Sequence, residues 1–256
     1  MEIFIYAIIF ITGTFFGSFF TLAVYRLPKK EDILIKHSYC PNCNHKLGFF
    51  DLFPVLSYIL LGAKCRYCKN KIRPRYLILE LFSGFTFLML AISLKINILN
   101  IHNVINLVFL LIYVSALFII AGIDKENIKI QKNVLVFGYI IEILYMIYLY
   151  ALDKFNVYQY VIYLFVFLII LVISIIANRL KKNKEYLTQI LYLSLYIIIM
   201  CGIKIYLITA MLCLIIILAY KLFGKLANNR IPVGFILCVS NIATIIIFNV
   251  ITNYII

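Results

Sequence analysis

Cys40-Pro41-Asn42-Cys43 and Cys65-Arg66-Tyr67-Cys68 are two CxxC pairs with 21 residues between them. Each pair turns tightly enough to offer both thiolates to one metal, and four thiolates at about 2.3 Å complete a tetrahedral structural zinc site. The spacing therefore points to zinc held by Cys40, Cys43, Cys65 and Cys68, or to a zinc fold that has lost its metal. His37 and His45 stand close enough in sequence to replace a thiol, but are expected to be solvated loop residues. Cys201, Cys213 and Cys238 fall in apolar runs and are expected to be small packing residues. A four-cysteine site folds a loop too small and too basic to fold alone. It does not say what the loop does.

The second chemistry is carboxylate chemistry. The chain has ten Asp and Glu, and most fall in loops where solvation is the expected role. Glu80 follows Arg73-Pro74-Arg75 and is expected to make an ion pair that anchors a helix start. Glu142 lies alone in an apolar run, where an ionised acid is expensive; it is either structural or functional. Asp124 ends one apolar run and Glu185 begins another with two runs between them, so the chain returns to the same membrane face. Two carboxyls a few ångströms apart cannot both ionise and so share a proton. One then activates a water while the other, protonated, polarises a carbonyl. The alternative is two interfacial acids balanced by Lys125, Lys129, Lys182 and Lys184.

These groups sit in a chain of 256 residues that is 65% hydrophobic and 13% charged, with no tryptophan and a mean hydropathy of +1.07. A soluble domain carries about twice that charge, and a disordered chain needs low hydrophobicity. What remains is an all-α polytopic membrane protein. A bilayer core of about 30 Å takes roughly 20 apolar residues as helix. Such runs occur at 3–25, 81–94, 96–123, 134–152, 155–178, 186–203, 205–220 and 231–256. They give about eight spans, with the sixth and seventh joined at Gly202 and Lys204. Of the 24 Lys and Arg, 21 fall in 26–75, 124–133, 178–186 and 221–230. The positive-inside rule makes those segments cytoplasmic and the N-terminus external, and reducing cytosol disfavours disulfides in the loop. The first run has its basic flank on the wrong side for a secretory signal, so it is expected to be retained. The net charge of +14 speaks to topology and the lipid surface; no nucleic-acid partner is expected. Three parts follow: a first transmembrane helix (1–25), a cytoplasmic, zinc-ribbon-like four-cysteine loop domain (26–75) and a seven-helix membrane domain (76–256).

In this order the features resemble the type IV prepilin leader peptidases, bacterial membrane aspartyl proteases. The matching residues are Gly17-Ser18-Phe19, Tyr25-Arg26-Leu27-Pro28, the two CxxC pairs, Arg75-Tyr76-Leu77-Ile78-Leu79-Glu80-Leu81, Ile123-Asp124 and Ile231-Pro232-Val233-Gly234. The resemblance implies a multi-pass protein of the bacterial inner membrane that cuts the basic leader from type IV prepilins or pseudopilins on the cytoplasmic side. It also implies structural zinc and, for members with the cysteine loop, methylation of the new N-terminus from S-adenosylmethionine, for which no residues are assigned. Asp124 takes the place of the first catalytic aspartate. The family's GxGD motif is absent, and Lys182-Asn183-Lys184-Glu185 stands about there. Either Glu185 serves as the second acid, or the protein is a non-catalytic relative that binds prepilins or assembly components.

Overall fold

The computed structural model describes residues 2–33, 37–154, 156–180, 185–223 and 231–255. Lys182, Asn183 and Lys184, which stand in place of the missing glycines, lie outside the described residues. The helices are α1 (Glu2–Arg26), α2 (Leu56–Leu60), α3 (Arg75–Ser93), α4 (Ile101–Asn127), α5 (Lys132–Ala151), α6 (Val157–Leu180), α7 (Glu185–Phe223) and α8 (Val233–Val250). Six are long and apolar enough to cross a membrane: α1, α3, α4, α5, α7 and α8. A shorter apolar stretch, Val157–Ile173, lies in α6. The expected break between the sixth and seventh spans is real. Gly202 inside α7 has φ 83 and ψ 161, a region essentially reserved for glycine, so α7 is two helical segments meeting there. The protein is an all-α polytopic membrane protein with a four-cysteine loop.

The chain divides into two compact units, Met1–Leu107 and Val108–Ile256, with the division inside α4. In the first, α1 packs along α3 through small residues. Gly13 and Gly17, one turn apart, face Gly84, Ser83 and Glu80, and the Ser83 hydroxyl donates to the Gly13 carbonyl at 2.5 Å. Close backbone approach is how membrane helices gain dispersion energy where lipid removes the hydrophobic drive. A Cβ at Gly17 would lie 2.7 Å from the Glu80 Cα, a backbone atom that cannot step aside. Gly17→Leu is therefore expected to cost roughly 3 kcal/mol, read as a lower melting temperature of the detergent-solubilised protein.

In the second unit, α7 packs on α5, α6 and α8. A polar thread crosses its apolar core: the Tyr113 hydroxyl donates to Asn241 Oδ1 at 2.8 Å, and Asn241 Nδ2 donates to Thr209 Oγ1 at 3.2 Å. The Cys201 thiol lies 3.6 Å from the Tyr113 hydroxyl, while Cys213 and Cys238 are buried. Glu142 is buried too, and neither of its carboxyl oxygens has a hydrogen-bond partner among the described residues.

Candidate functional site

The cysteine box folds as two copies of one turn. In the first, the Cys40 N–H donates to His45 O (3.0 Å) and the Asn44 N–H to Cys40 O (2.8 Å). In the second, the Cys65 N–H donates to Asn70 O (2.9 Å) and the Lys69 N–H to Cys65 O (3.0 Å). Outer bonds from Leu47 N–H to Ser38 O and from Ile72 N–H to Ala63 O extend the correspondence. The residue after each second cysteine is left-handed, Asn44 at φ 56 and Lys69 at φ 59. These turns bring the four thiol sulfurs within 4.8 Å of one another, with Cys40 and Cys68 at 3.9 Å. Tetrahedral zinc with 2.3 Å bonds needs sulfurs about 3.8 Å apart, so donor set and spacing both fit the metal. The N–H groups of Cys68 first, then Tyr67, outweigh burial and hold the Cys65 thiol down to about 7. At Cys68 the Asn70 N–H works downward, but desolvation and the Cys65, Cys43 and Cys40 thiols prevail and push it up to about 11. A divalent cation relieves such crowding of thiolates.

His45 is not turned to the sulfurs but packs on the Tyr67 ring, with centroids 3.6 Å apart. His37 gives its carbonyl to Arg26, which is buried at the end of α1 and also donates to Asp32 O. Asp51 fastens the linker to the second turn. It accepts from Arg66 Nε (2.7 Å), the Tyr67 hydroxyl (3.2 Å) and the Gly48 N–H (3.1 Å). Burial pushes the Asp51 carboxyl upward, but the Arg66 bond, with Gly48 and Tyr67, holds it below the usual carboxylate range. A depressed folded-state pKa adds stability above the unfolded value, lost as pH falls through the folded one. Asp51→Asn is accordingly expected to destabilise the loop by about 1 kcal/mol or less, because Arg66 is half exposed. The difference from the unmodified chain should begin to shrink as pH falls below about 4 and disappear only below the depressed folded-state value, as followed by proteolysis across pH.

Glu80 takes a different partner from the ion pair expected of it. Buried against α1, it accepts the Val55 N–H at 2.8 Å, tying the linker between the two turns to α3.

Asp124 is fully buried near the end of α4. Its Oδ2 accepts from the Phe235 N–H at 2.9 Å and the Tyr186 hydroxyl at 3.0 Å, and that hydroxyl accepts from the Gly234 N–H at 3.3 Å. The N-cap of α8 is Pro232, with no side-chain acceptor, so Asp124 supplies from another helix the oxygen that a helix N-terminus needs. A Cβ on Gly234 would lie 3.0 Å from Asp124 Oδ2, which is why the Ile231-Pro232-Val233-Gly234 segment ends on glycine. The other oxygen, Oδ1, is buried with no hydrogen-bond partner among the described residues.

Glu185 lies at the start of the helix that delivers Tyr186, but its carboxylate points elsewhere. It pairs with Lys132 at 3.1 Å, its side chain is 64% exposed, and Gln189 reaches it at 3.4 Å. Gln189 also accepts the Ile130 N–H at 2.9 Å. The first turn of α7 thus brings Tyr186, not Glu185, onto Asp124. One residue is about 100° of helical rotation, and the Lys132 ammonium draws the glutamate outward. Tyr186 and the Phe235 N–H carried no signal of their own in the sequence, although the segment holding Gly234 did.

The family model of the bacterial peptidase A24 N-terminal domain matches residues 11–94. A prepilin leader peptidase/N-methyltransferase of Vibrio cholerae is 41% identical over 87 residues, 30% of this chain and 34% of the relative. Enzymes of the same name from Klebsiella pneumoniae and Bacillus subtilis are 29% and 30% identical, over 46% and 51% of this chain and 52% and 50% of their own lengths. The matches thus span about half or less of these relatives. No solved structure matches. The similarity thus lies chiefly in α1, the four-cysteine loop and α3, which resemble the N-terminal domain of the bacterial A24 peptidases and the matching part of prepilin leader peptidase/N-methyltransferases.

Proposed function

We propose that this protein is an inner-membrane aspartyl endopeptidase that removes the basic leader of type IV prepilin-like proteins at the cytoplasmic face. The observation that carries the reading is the buried Asp124, with Oδ2 fixed by Tyr186 and Phe235 and Oδ1 without a hydrogen-bond partner among the described residues. Such an oxygen on a desolvated, oriented carboxylate takes the proton of an attacking water as that water's oxygen adds to the scissile carbonyl carbon. A second, protonated acid gives its proton to the carbonyl oxygen. Collapse of the tetrahedral intermediate then breaks the C–N bond, and a proton passes to the leaving amine. Glu185 is assigned as that second acid. To reach the site it leaves Lys132, and an exposed ion pair is worth little. Zinc on Cys40, Cys43, Cys65 and Cys68 is structural in this reading and cross-links the two turns. An N-methyltransferase activity enters this reading only through the names of the relatives, and S-adenosylmethionine only as the methyl donor that the family resemblance implies.

A second reading has its own observation. Glu185, exposed and paired with Lys132, fits a relative that binds prepilins without cutting them. Leader removal from a co-expressed prepilin separates the two. Glu185→Gln is expected to lower cleavage by about 10²-fold or more if Glu185 acts in acid-base chemistry. Unchanged cleavage removes Glu185 from the mechanism, and no cleavage by the unmodified chain selects the binding protein.

A further inference from the structure

The linker between the two cysteine turns carries apolar surface that the zinc site does not explain. Phe49, Phe50, Leu56, Ile59 and Leu60 are all exposed, Phe50 at 78% and Leu60 at 82%. They lie on a 3-10 turn (Phe49–Asp51) and on α2, and three of them, Phe50, Leu56 and Leu60, rim an apolar hollow of about 320 Å³ together with Phe53 and Arg66. In water such a patch would be a liability.

Two contacts fix where the linker lies along the helix pair of its own unit. The Phe53 ring meets the Phe15 ring edge-on, with centroids 5.3 Å apart. Phe15 is eleven residues back from Arg26, about 16 Å along α1 at 1.5 Å per residue. The Val55 N–H bonds to Glu80, five residues or about 8 Å inside α3 from Arg75. To make that bond Val55 adopts φ 63, rare for a β-branched residue, so the linker is held against α3 at a cost to its own backbone. Both anchors fall within the lengths of α1 and α3 that are apolar enough to lie in a bilayer. Their outward faces there, Phe15, Phe16 and Phe19 on α1 and Ile78, Phe82 and Phe85 on α3, are exposed as lipid-facing residues are. Through the Phe53–Phe15 contact the linker's apolar surface adjoins those faces. Lys46 and Lys64, both exposed, stand on either side of it in the chain, placed for anionic headgroups.

We propose that residues 49–61 form a wedge that seats the four-cysteine loop in the membrane, its apolar face against acyl chains of the adjoining leaflet and its basic flanks at the headgroups. The zinc turns are thereby held down on the bilayer beside α1 and α3 instead of projecting from it. The wedge's partner is lipid, not a protein segment, because Phe53, which lines the wedge's hollow with Phe50, Leu56 and Leu60, meets the exposed Phe15 of a helix long and apolar enough to cross a membrane.

The chain has no natural tryptophan, so Phe50→Trp and Leu60→Trp each place a single reporter on the wedge, and Lys46→Trp gives a reference on the first turn. Each full-length variant is reconstituted in phosphatidylethanolamine/phosphatidylglycerol vesicles with or without brominated acyl chains, and its zinc content confirms a folded loop. Expected are blue-shifted emission from positions 50 and 60 that is largely lost with brominated chains, and iodide quenching at position 46 alone. Iodide quenching at 50 and 60 overturns the proposal. So does shielding from both quenchers, which would mean a protein partner covers the face, and so does equal lipid quenching at position 46. Prepilin cleavage is read separately, so the wedge and the protease reading fail independently.

Discussion

Asp124→Asn is expected to lower prepilin cleavage by about 10³-fold, within the range of general acid-base effects, and to leave the protein folded. Asparagine keeps a carbonyl oxygen for the Tyr186 hydroxyl and the Phe235 N–H, so the cross-helix cap on α8 survives. It loses the ability to take a proton on the Oδ1 side of the carboxyl, which is what the proposed chemistry asks of it. Asp124→Ala removes both functions at once: it strands the Phe235 N–H at a buried helix start, a loss of about 1 kcal/mol or more. The informative result is the asparagine variant with an unchanged melting temperature. Near-normal cleavage by that variant would reduce Asp124 to a helix cap.

The other large effect lies in the cysteine box. Between Glu31 and Arg73 the described residues bury only Cys40, Pro54 and Cys65, which is no hydrophobic core. A loop with so little to bury cannot offset its chain entropy. Structural zinc contributes about 10–16 kcal/mol in small metal-folded units, and zinc held by the four cysteines would do most of the folding here. Cys65→Ser, or a strong chelator, is expected to strip the metal and open the loop to proteases. The α1–α3 pair should persist, since its contacts through Gly13, Gly17, Ser83 and Gly84 do not involve the metal. Metal analysis alongside limited proteolysis checks this, and a metal-free loop that stays protected would refute it.

If Phe50 and Leu60 sit in lipid, the anchors at Phe53 and Val55 would hold the loop in place after metal loss. Proteolysis in Cys65→Ser would then fall within the cysteine turns themselves and spare the wedge. The fragment pattern therefore also bears on whether membrane or metal positions the loop.

The sequence alone determined the features whose physics is local. Each cysteine turn closes over ten residues or fewer, so four thiols at CxxC spacing announce a cluster able to hold a metal before any fold is known. Apolar run length located the six described helices long enough to cross a membrane, and Gly202 near Lys204 marked the break that the backbone of α7 shows. The sequence singled out Asp124 as an acid at the end of an apolar run and through the family resemblance, but not its partners on α7 and α8. Only the tertiary structure decided where the helix faces point. Tyr186 and Glu185 are neighbours in sequence, yet helical rotation sends one to Asp124 and the other to Lys132. Glu80 met a backbone N–H rather than an arginine because the close approach at Gly17 turns it inward. The linker's place beside α1 and α3 rests on partners 25 and 38 residues away. Such contacts depend on how helices rotate and approach one another, which no local pattern of residues encodes.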